Sequence, residues 1–380
     1  MLGCRSSSAK PKNITGNGRE RRFVFLTHGI EGETAMNTMR AAIYTGIEQI
    51  GIQEVEKKSP EPGYVMIDTK CTGICGSDLH SYFGHWGQSD SLAAGHETCG
   101  TVVELGEGVT TLQPGDKVTI ECFSHCGNCV YCGKGYYNHC LERKWVSQNT
   151  HGGFSEYTTA HASGLFKLPD SMTFEEGALV EPLAVSYRAI GQARATYQDR
   201  VAIIGGGTIG QFALAAAVAA GVKETLITVK YDQQAELAKD LGADHIVNIG
   251  ESDPQEYVKD ITGGRGMDAV IETVGGGHNF DAAMDMVRSC GYVVLVAGYY
   301  EPLKVNLGRI VGSEAIVTGS NCYGYTGMDT DFDAAIELIA SGKVDATKLV
   351  THRLPLMDVA EGFRISADKR SGAVKVHLCQ

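Results

Sequence analysis

The sequence predicts an α/β protein in two parts, a β-rich front half followed by a doubly wound parallel sheet. Three observations carry this. Short alternating runs such as YVMIDTKC, GTVVELG and DKVTIEC, punctuated by glycine, occupy the stretch from 39 to about 170 and read as antiparallel strands of a barrel or sandwich. From 201 the runs VAII, TLITV, DAVIE and YVVLVAG alternate with FALAAAVAA, AELAKDL and AAMDMVRSC, the strand-helix alternation of a parallel sheet. After about 320 the pattern returns to mixed elements and ends in the strand-like AVKVHL.

Length and composition agree. At about 100–200 residues per domain, 380 residues make two domains the first expectation. A hydrophobic share of 43% and a charged share of 21% exclude disorder as the main state. A chain this long buries about three quarters of its unfolded surface, so it needs no disulfides to fold. Glycine is in excess, with 48 residues clustered as at 205–207 and 275–277 and no G-X-Y period, which excludes collagen and points to tight turns. The net charge of −12, without a basic run beyond ERR at 20–22, argues against nucleic acid or anionic membrane as partner. Val201 to Val222 is uncharged, but its five glycines, threonine and glutamine argue against a membrane span.

In order along the chain, residues 1–35 are polar and aperiodic and precede the strand pattern RAAIY. They read as an N-terminal extension, an upstream start or a disordered tail, with an organellar transit peptide the sharper alternative that Glu20, Glu31 and Glu33 weaken. The first 22 residues lack the continuous apolar core of a signal peptide, so the expected setting is cytoplasmic and reducing. The change of pattern divides the chain into segments expected over 36–185, 186–320 and 321–380. Thr173 and Glu176 form a capping-box pair at the start of an apolar helix, which Pro182 is expected to interrupt or kink.

Three constellations carry chemistry. Gly205-Gly206-Gly207-Thr208-Ile209-Gly210 follows the strand VAII and opens a helix, matching the G-x-G-x-x-G dinucleotide fingerprint. Gly205 permits the tight turn, Gly207 lets backbone N–H groups approach a pyrophosphate at the helix N-terminus, and Gly210 lets the helix pack on the strand. Cys126, Cys129, Cys132 and Cys140 place four thiolates within 15 residues, which suits a closed tetrahedral zinc site, with a redox or disulfide cluster as the bland alternative. Cys122 breaks that spacing and is left out. The third set is scattered: Cys75, His96, Glu97 and Glu181 offer one sulfur, one nitrogen and two carboxylates, enough for an open site of three ligands.

At these residues the sequence resembles the zinc-dependent medium-chain dehydrogenase/reductase family, the alcohol dehydrogenase superfamily. CTGICGSDLH at 71–80, GHETCGTVVELGEGV at 95–109, PGDKV at 114–118, GGFSEY at 152–157 and VEPLAV at 180–185 carry the resemblance together with the four-cysteine loop and the glycine fingerprint. It spans about 39–380, and the sorbitol and threonine dehydrogenase branch is the nearest in pattern. The resemblance implies a GroES-like catalytic domain over 36–185, completed by 321–380, a Rossmann dinucleotide-binding domain over 186–320, and a homo-oligomer, dimer or tetramer. It implies two zinc ions, one structural on the four cysteines and one catalytic on Cys75, His96 and Glu97, with Glu181 a fourth ligand or exchanging with water. Zinc would lower the pKa of a substrate hydroxyl and the nicotinamide would take the hydride. The positions matching Ser77 and His80 form the family's proton relay, and Asp78 is a candidate to orient His96.

One departure concerns the cofactor. The second Rossmann strand ends at Val229 where users of NAD carry an acid, and Lys230 and Tyr231 follow, so NADP is favoured over NAD. The leading reading is an oxidoreductase moving hydride between NAD(P) and a small secondary alcohol, polyol or hydroxy amino acid. A formaldehyde-type or primary-alcohol dehydrogenase is the second reading. The third, a non-enzymatic nucleotide-binding protein, is opposed by the retained Cys75, His96, Glu97 and Glu181. Tyr82, Phe83 and Trp86 follow Cys75 and are candidates for the pocket wall or the core.

Overall fold

The computed structural model describes residues 37–85, 94–146 and 151–380, so the expectations for 1–35 and for Trp86 lie outside the described residues. The front half begins with a hairpin of β1 (Thr38–Gly46) and β2 (Gln49–Glu56). The long strand β3 (Tyr64–Gly73) leads into the short helix α1 (Gly76–Tyr82), about two turns, and β4 (Glu97–Leu105) and β5 (Lys117–Ile120) follow. The short ribbon β6 (Phe123–Ser124) with β7 (Lys144–Trp145) encloses the four-cysteine loop. Strands β8 (Tyr157–His161) and β9 (Leu165–Lys167) complete this region. Alternation of inward Val65, Ile67, Val118 and Ile120 fills the barrel interior with fully buried side chains.

Two helices join the halves. The expected capping box is present: Glu176 N–H donates to Thr173 Oγ1 at 3.2 Å and Thr173 N–H to Glu176 Oε2 at 2.7 Å, opening α2 (Phe174–Ala178). The chain breaks at Leu179, and α3 (Val180–Gln192) carries Pro182 in its first turn, where a missing N–H costs nothing. Pro182 therefore sits inside the start of a helix instead of kinking one.

The second half is a six-stranded, wholly parallel sheet. It runs through β10 (Arg200–Ile204), α4 (Thr208–Ala219), β11 (Glu224–Val229), α5 (Asp232–Asp240), β12 (His245–Asn248), α6 (Pro254–Thr262), β13 (Met267–Glu272), α7 (Gly277–Met286), β14 (Val287–Leu295), α8 (Leu307–Ser313) and β15 (Ile316–Gly319). The strand order β12-β11-β10-β13-β14-β15 reverses direction between β10 and β13, which is where ligands bind in open sheets of this kind. The helix expected over AAMDMVRSC ends at Met286, because Val287 pairs with Met267 and already belongs to β14. The sharp turn after β10 needs glycine twice. Gly205 has φ +108°, and a Cβ at Gly210 would lie 1.8 Å from the Gly205 carbonyl oxygen.

The chain then returns to the first sheet. After the ribbon β16 (Tyr325–Thr326) and β17 (Asp329–Thr330) come α9 (Asp331–Ala340), β18 (Val350–Pro355), α10 (Val359–Ala367) and β19 (Lys375–Cys379). The seven-stranded sheet has the order β18-β19-β3-β4-β5-β9, with β8 also on β3. Cys71 and Cys379 face each other directly in the β3–β19 register and are joined by a disulfide that the reading of the sequence did not assign. Among the described residues no helix is long and apolar enough to cross a membrane.

His377, on β19, is fully buried with Nδ1 3.4 Å from Cys71 Sγ. Burial, with Lys375 and Arg353 nearby, lowers it to about 3. Its folded-state pKa lies below that of an unfolded histidine, so between pH 6.5 and 3 only the unfolded chain takes the proton. Stability then falls as pH falls, by about 1.4 kcal/mol per unit. Chemical denaturation at pH 7 and 4.5 is expected to show wild type losing roughly 2 kcal/mol more than His377→Gln over that interval. Parallel losses would refute the assignment.

Candidate active site

The cleft at the sheet's switch point has a volume of roughly 1150 Å³, room for an elongated ligand and more than a typical small-molecule pocket takes. Its floor is Gly205 to Gly210, including Thr208 and Ile209, and its far wall includes Val229 and Lys230. A Cβ at Gly207 would meet nothing within 4 Å, so this backbone faces open space, as a pyrophosphate cradle requires. The Thr208 hydroxyl donates to the Val374 carbonyl at 2.6 Å, and the Ile209 carbonyl accepts from Ser186 at 3.0 Å, so both hold the helix start instead of projecting a free polar atom. Val229 is buried, whereas Lys230 is exposed with its ammonium 5.8 Å from the Tyr231 ring centre.

The same cleft reaches Cys75. Cys75 caps α1, and its N–H donates to Asp78 Oδ2 at 2.8 Å. The other Asp78 oxygen lies 3.8 Å from His96 Nδ1, and the Cys75 and His96 side chains lie within interaction range of each other. Asp78 thus binds the Cys75 backbone and faces the His96 ring. Burial alone would lower His96, but Asp78, Cys75 and Glu181 together hold it well above the usual histidine range. Glu181, in the first turn of α3, is buried, and that burial pushes its carboxyl up to about 7. Among the described residues its carboxylate has no hydrogen-bond donor, so it is open to a cation.

Glu97 is different. Lys375 Nζ donates to both its oxygens, at 2.7 and 2.5 Å, and to the Ile74 carbonyl at 3.0 Å, with both side chains 1% exposed. Burial would lower Lys375, but Glu97 outweighs it and keeps the ammonium charged. Lys375 is a site residue that sequence reasoning missed. The available signal was a lysine interrupting the apolar run AVKVHL at a position the strand buries.

Ser77 is half-buried in the first turn of α1 and His80 lies at the helix's end. His80 Nδ1 is 2.9 Å from His85 Nδ1, and the Tyr300 ring stands edge-on to His80 at 4.8 Å. Burial, then His85, lowers His80. Tyr82 is buried among Phe83 and Phe363, which places it in the core.

In the four-cysteine loop the sulfur atoms of Cys126, Cys129, Cys132 and Cys140 all lie within 4.8 Å of one another. Four of their separations are 3.5 to 4.0 Å. Sulfurs at about 2.3 Å from a tetrahedral zinc stand about 3.8 Å apart, so the cage already has the dimensions of the metal.

Comparison with known proteins agrees with this geometry. Residues 61–170 match the alcohol dehydrogenase GroES-like domain and residues 208–341 the zinc-binding dehydrogenase domain. The chain is 34% identical to a sorbitol dehydrogenase of Halalkalibacterium halodurans, over 90% of this chain and 99% of the relative. It is 32% identical to an L-threonine 3-dehydrogenase of Pyrococcus horikoshii, over 84% and 93% respectively. The solved 2R,3R-butanediol dehydrogenase of Bacillus subtilis superposes with a TM-score of 0.80 at 31% identity, covering 90% of this chain and 99% of that one. The chain belongs to the zinc-dependent alcohol dehydrogenase family, with a GroES-like and a Rossmann domain, and is a dehydrogenase of CH–OH donors.

Proposed function

We propose that this enzyme oxidises the secondary hydroxyl of a small polyol, diol or hydroxy amino acid with a nicotinamide dinucleotide, NADP in preference to NAD. The observation that carries it is the shared cleft: Cys75 lines the same cavity as the Gly205–Gly210 turn, so a donor set and a dinucleotide cradle face one space. The relatives named above act on a polyol, a hydroxy amino acid and a diol, all of which bear secondary hydroxyls.

The donor set fits zinc: a thiol, an imidazole and a carboxylate without a competing donor. Cys75, His96 and Glu181 are the proposed ligands. Glu97, expected among them, would join only by releasing Lys375. Bound zinc supplies Lewis acidity that lowers a hydroxyl pKa, and the nicotinamide supplies the hydride acceptor. The chain's own residues handle the proton. Ser77 and His80 take it from the site, and His85, exposed and 2.9 Å from His80, passes it to water. The four-cysteine cage holds the second, structural zinc.

A homo-oligomer is part of the proposal. β15 is an edge strand of the parallel sheet, and exposed Ile316 lies on it with exposed Leu307 and Val311 on the preceding helix, an apolar edge suited to a second copy. A cytoplasmic setting is proposed from the free thiols of the cage, although the Cys71–Cys379 bond would be reduced there.

A panel of alcohols with both nicotinamides, followed by reduced-cofactor absorbance, tests the function. Secondary alcohols are expected to turn over, and activity confined to primary alcohols would favour the formaldehyde-type reading. Metal analysis is expected to give two zinc per chain. Cys129→Ser should lose one zinc and melt earlier, whereas Cys75→Ser should lose most turnover yet keep its melting temperature. An unchanged zinc content in folded Cys129→Ser would refute the cage.

Cofactor choice follows from the ribose end. Val229 neither accepts from a ribose hydroxyl nor repels a 2′-phosphate, and Lys230 can reach one. A charge-assisted contact there gives roughly ten- to hundred-fold preference for NADP, less if the lysine stays hydrated. The kcat/KM ratio for the two cofactors should move toward NAD in Val229→Asp, and Lys230→Ala should weaken NADP more than NAD. A wild type that prefers NAD, with Lys230→Ala unmoved, refutes this.

A further inference from the structure

A second pair of cysteines stands beside the candidate site and has no part in the chemistry above. Cys122 follows β5 and is buried; Cys322 follows β15 and is partly exposed, although 200 residues separate them in sequence. Their thiols lie within interaction range of each other. The adjoining residues clamp the two segments together. Cys122 N–H donates to the Tyr323 hydroxyl, and the Phe123 and Tyr323 rings stack at 5.2 Å with an interplanar angle of 13°. Both rings are fully buried. Cys322 has φ +52°, a left-handed conformation that a residue with a Cβ keeps only where its surroundings impose it. The Cys322 sulfur also contacts Oδ1 of Asn321, an exposed residue, at 3.5 Å. On the other side both thiols feel the charge of Glu181.

We propose that Cys122 and Cys322 are a redox couple: a peroxide converts them to an intramolecular disulfide that disables the neighbouring site, and a dithiol restores it. The Cys322 thiolate attacks one oxygen of hydrogen peroxide, the O–O bond breaks, and with one proton a water leaves, giving a sulfenic acid. The Cys122 sulfur attacks that sulfur, the S–O bond breaks, and the thiol proton leaves with the hydroxyl as a second water. Two thiols lose two electrons and the peroxide gains them. Cys322 is the more exposed of the two and Cys122 is buried, which fits Cys322 as attacker and Cys122 as resolving partner.

The loss of activity rests on the proposal that Glu181 belongs to the catalytic site, whereas formation of the bond does not. The test treats the reduced, zinc-loaded enzyme with hydrogen peroxide, blocks free thiols and maps peptides by mass spectrometry. A Cys122–Cys322 crosslinked peptide two hydrogens lighter is expected, with loss of most turnover, unchanged zinc content and recovery in dithiothreitol. Cys322→Ser and Cys122→Ser, each compared with its own untreated activity, should show no crosslink and keep most of that activity. Inactivation of both variants as in wild type, or inactivation with zinc release and no crosslink, would overturn the proposal by assigning the damage to the zinc cysteines or Cys75. A crosslink without loss of turnover would overturn the control of the site. An untreated enzyme inactive on every alcohol would instead sink the proposed function, and the crosslink map would still decide the couple.

Discussion

The ammonium of Lys375 is the constraint on which the site depends. It binds the carbonyl of Ile74, one residue before Cys75, and the carboxylate of Glu97, one residue after His96. One buried cation from β19 therefore sets the end of β3 against the start of β4, and with them Cys75 and His96, which follow and precede. A buried charge is tolerable only when its partners satisfy it. Removing Lys375 would strand Glu97 at a cost of about 3–5 kcal/mol, and the spacing of Cys75 from His96 would lose its anchor. Asp78 works the same joint from the opposite side, accepting from the Cys75 N–H while its other oxygen faces His96.

Local signals were legible where one residue type has one physical use. The fingerprint glycines could be read because a left-handed φ at Gly205 and a missing Cβ at Gly210 admit little else. The four cysteines could be read because their spacing is that of a cage, and the capping box because Thr173 and Glu176 satisfy each other's backbone. The parallel sheet followed from strand-helix alternation, although the α7–β14 boundary was misjudged because MDMVRSC suits a helix until β13 claims Val287.

What was not legible depends on partners distant in sequence. Nothing near Glu97 in the chain reveals its partner Lys375, 278 residues away. Cys122 was set aside as a misfit of the zinc spacing, and its relation to Cys322 appears only when β6 and the segment after β15 stack through Phe123 and Tyr323. Cys71 and Cys379 meet solely through the β3–β19 register. Pairings of this kind are properties of topology, and a pattern read in short windows does not contain them.

The return of the chain to its first sheet has a consequence for how the protein is made. Cys75 leaves the ribosome some three hundred residues before Lys375, the residue that fixes its surroundings. Until β19 is synthesised, the end of β3 from Cys71 to Gly73 presents an unpaired edge and Glu97 lacks the ammonium of Lys375. The nascent barrel is therefore incomplete through the whole synthesis of the parallel sheet, which can fold on its own local contacts in the meantime. Contacts this distant form slowly, and an exposed strand edge is a hazard while they wait. Assembly of the surroundings of Cys75 and His96 is thus timed by the late strand, which is made after the glycine turn of the parallel sheet.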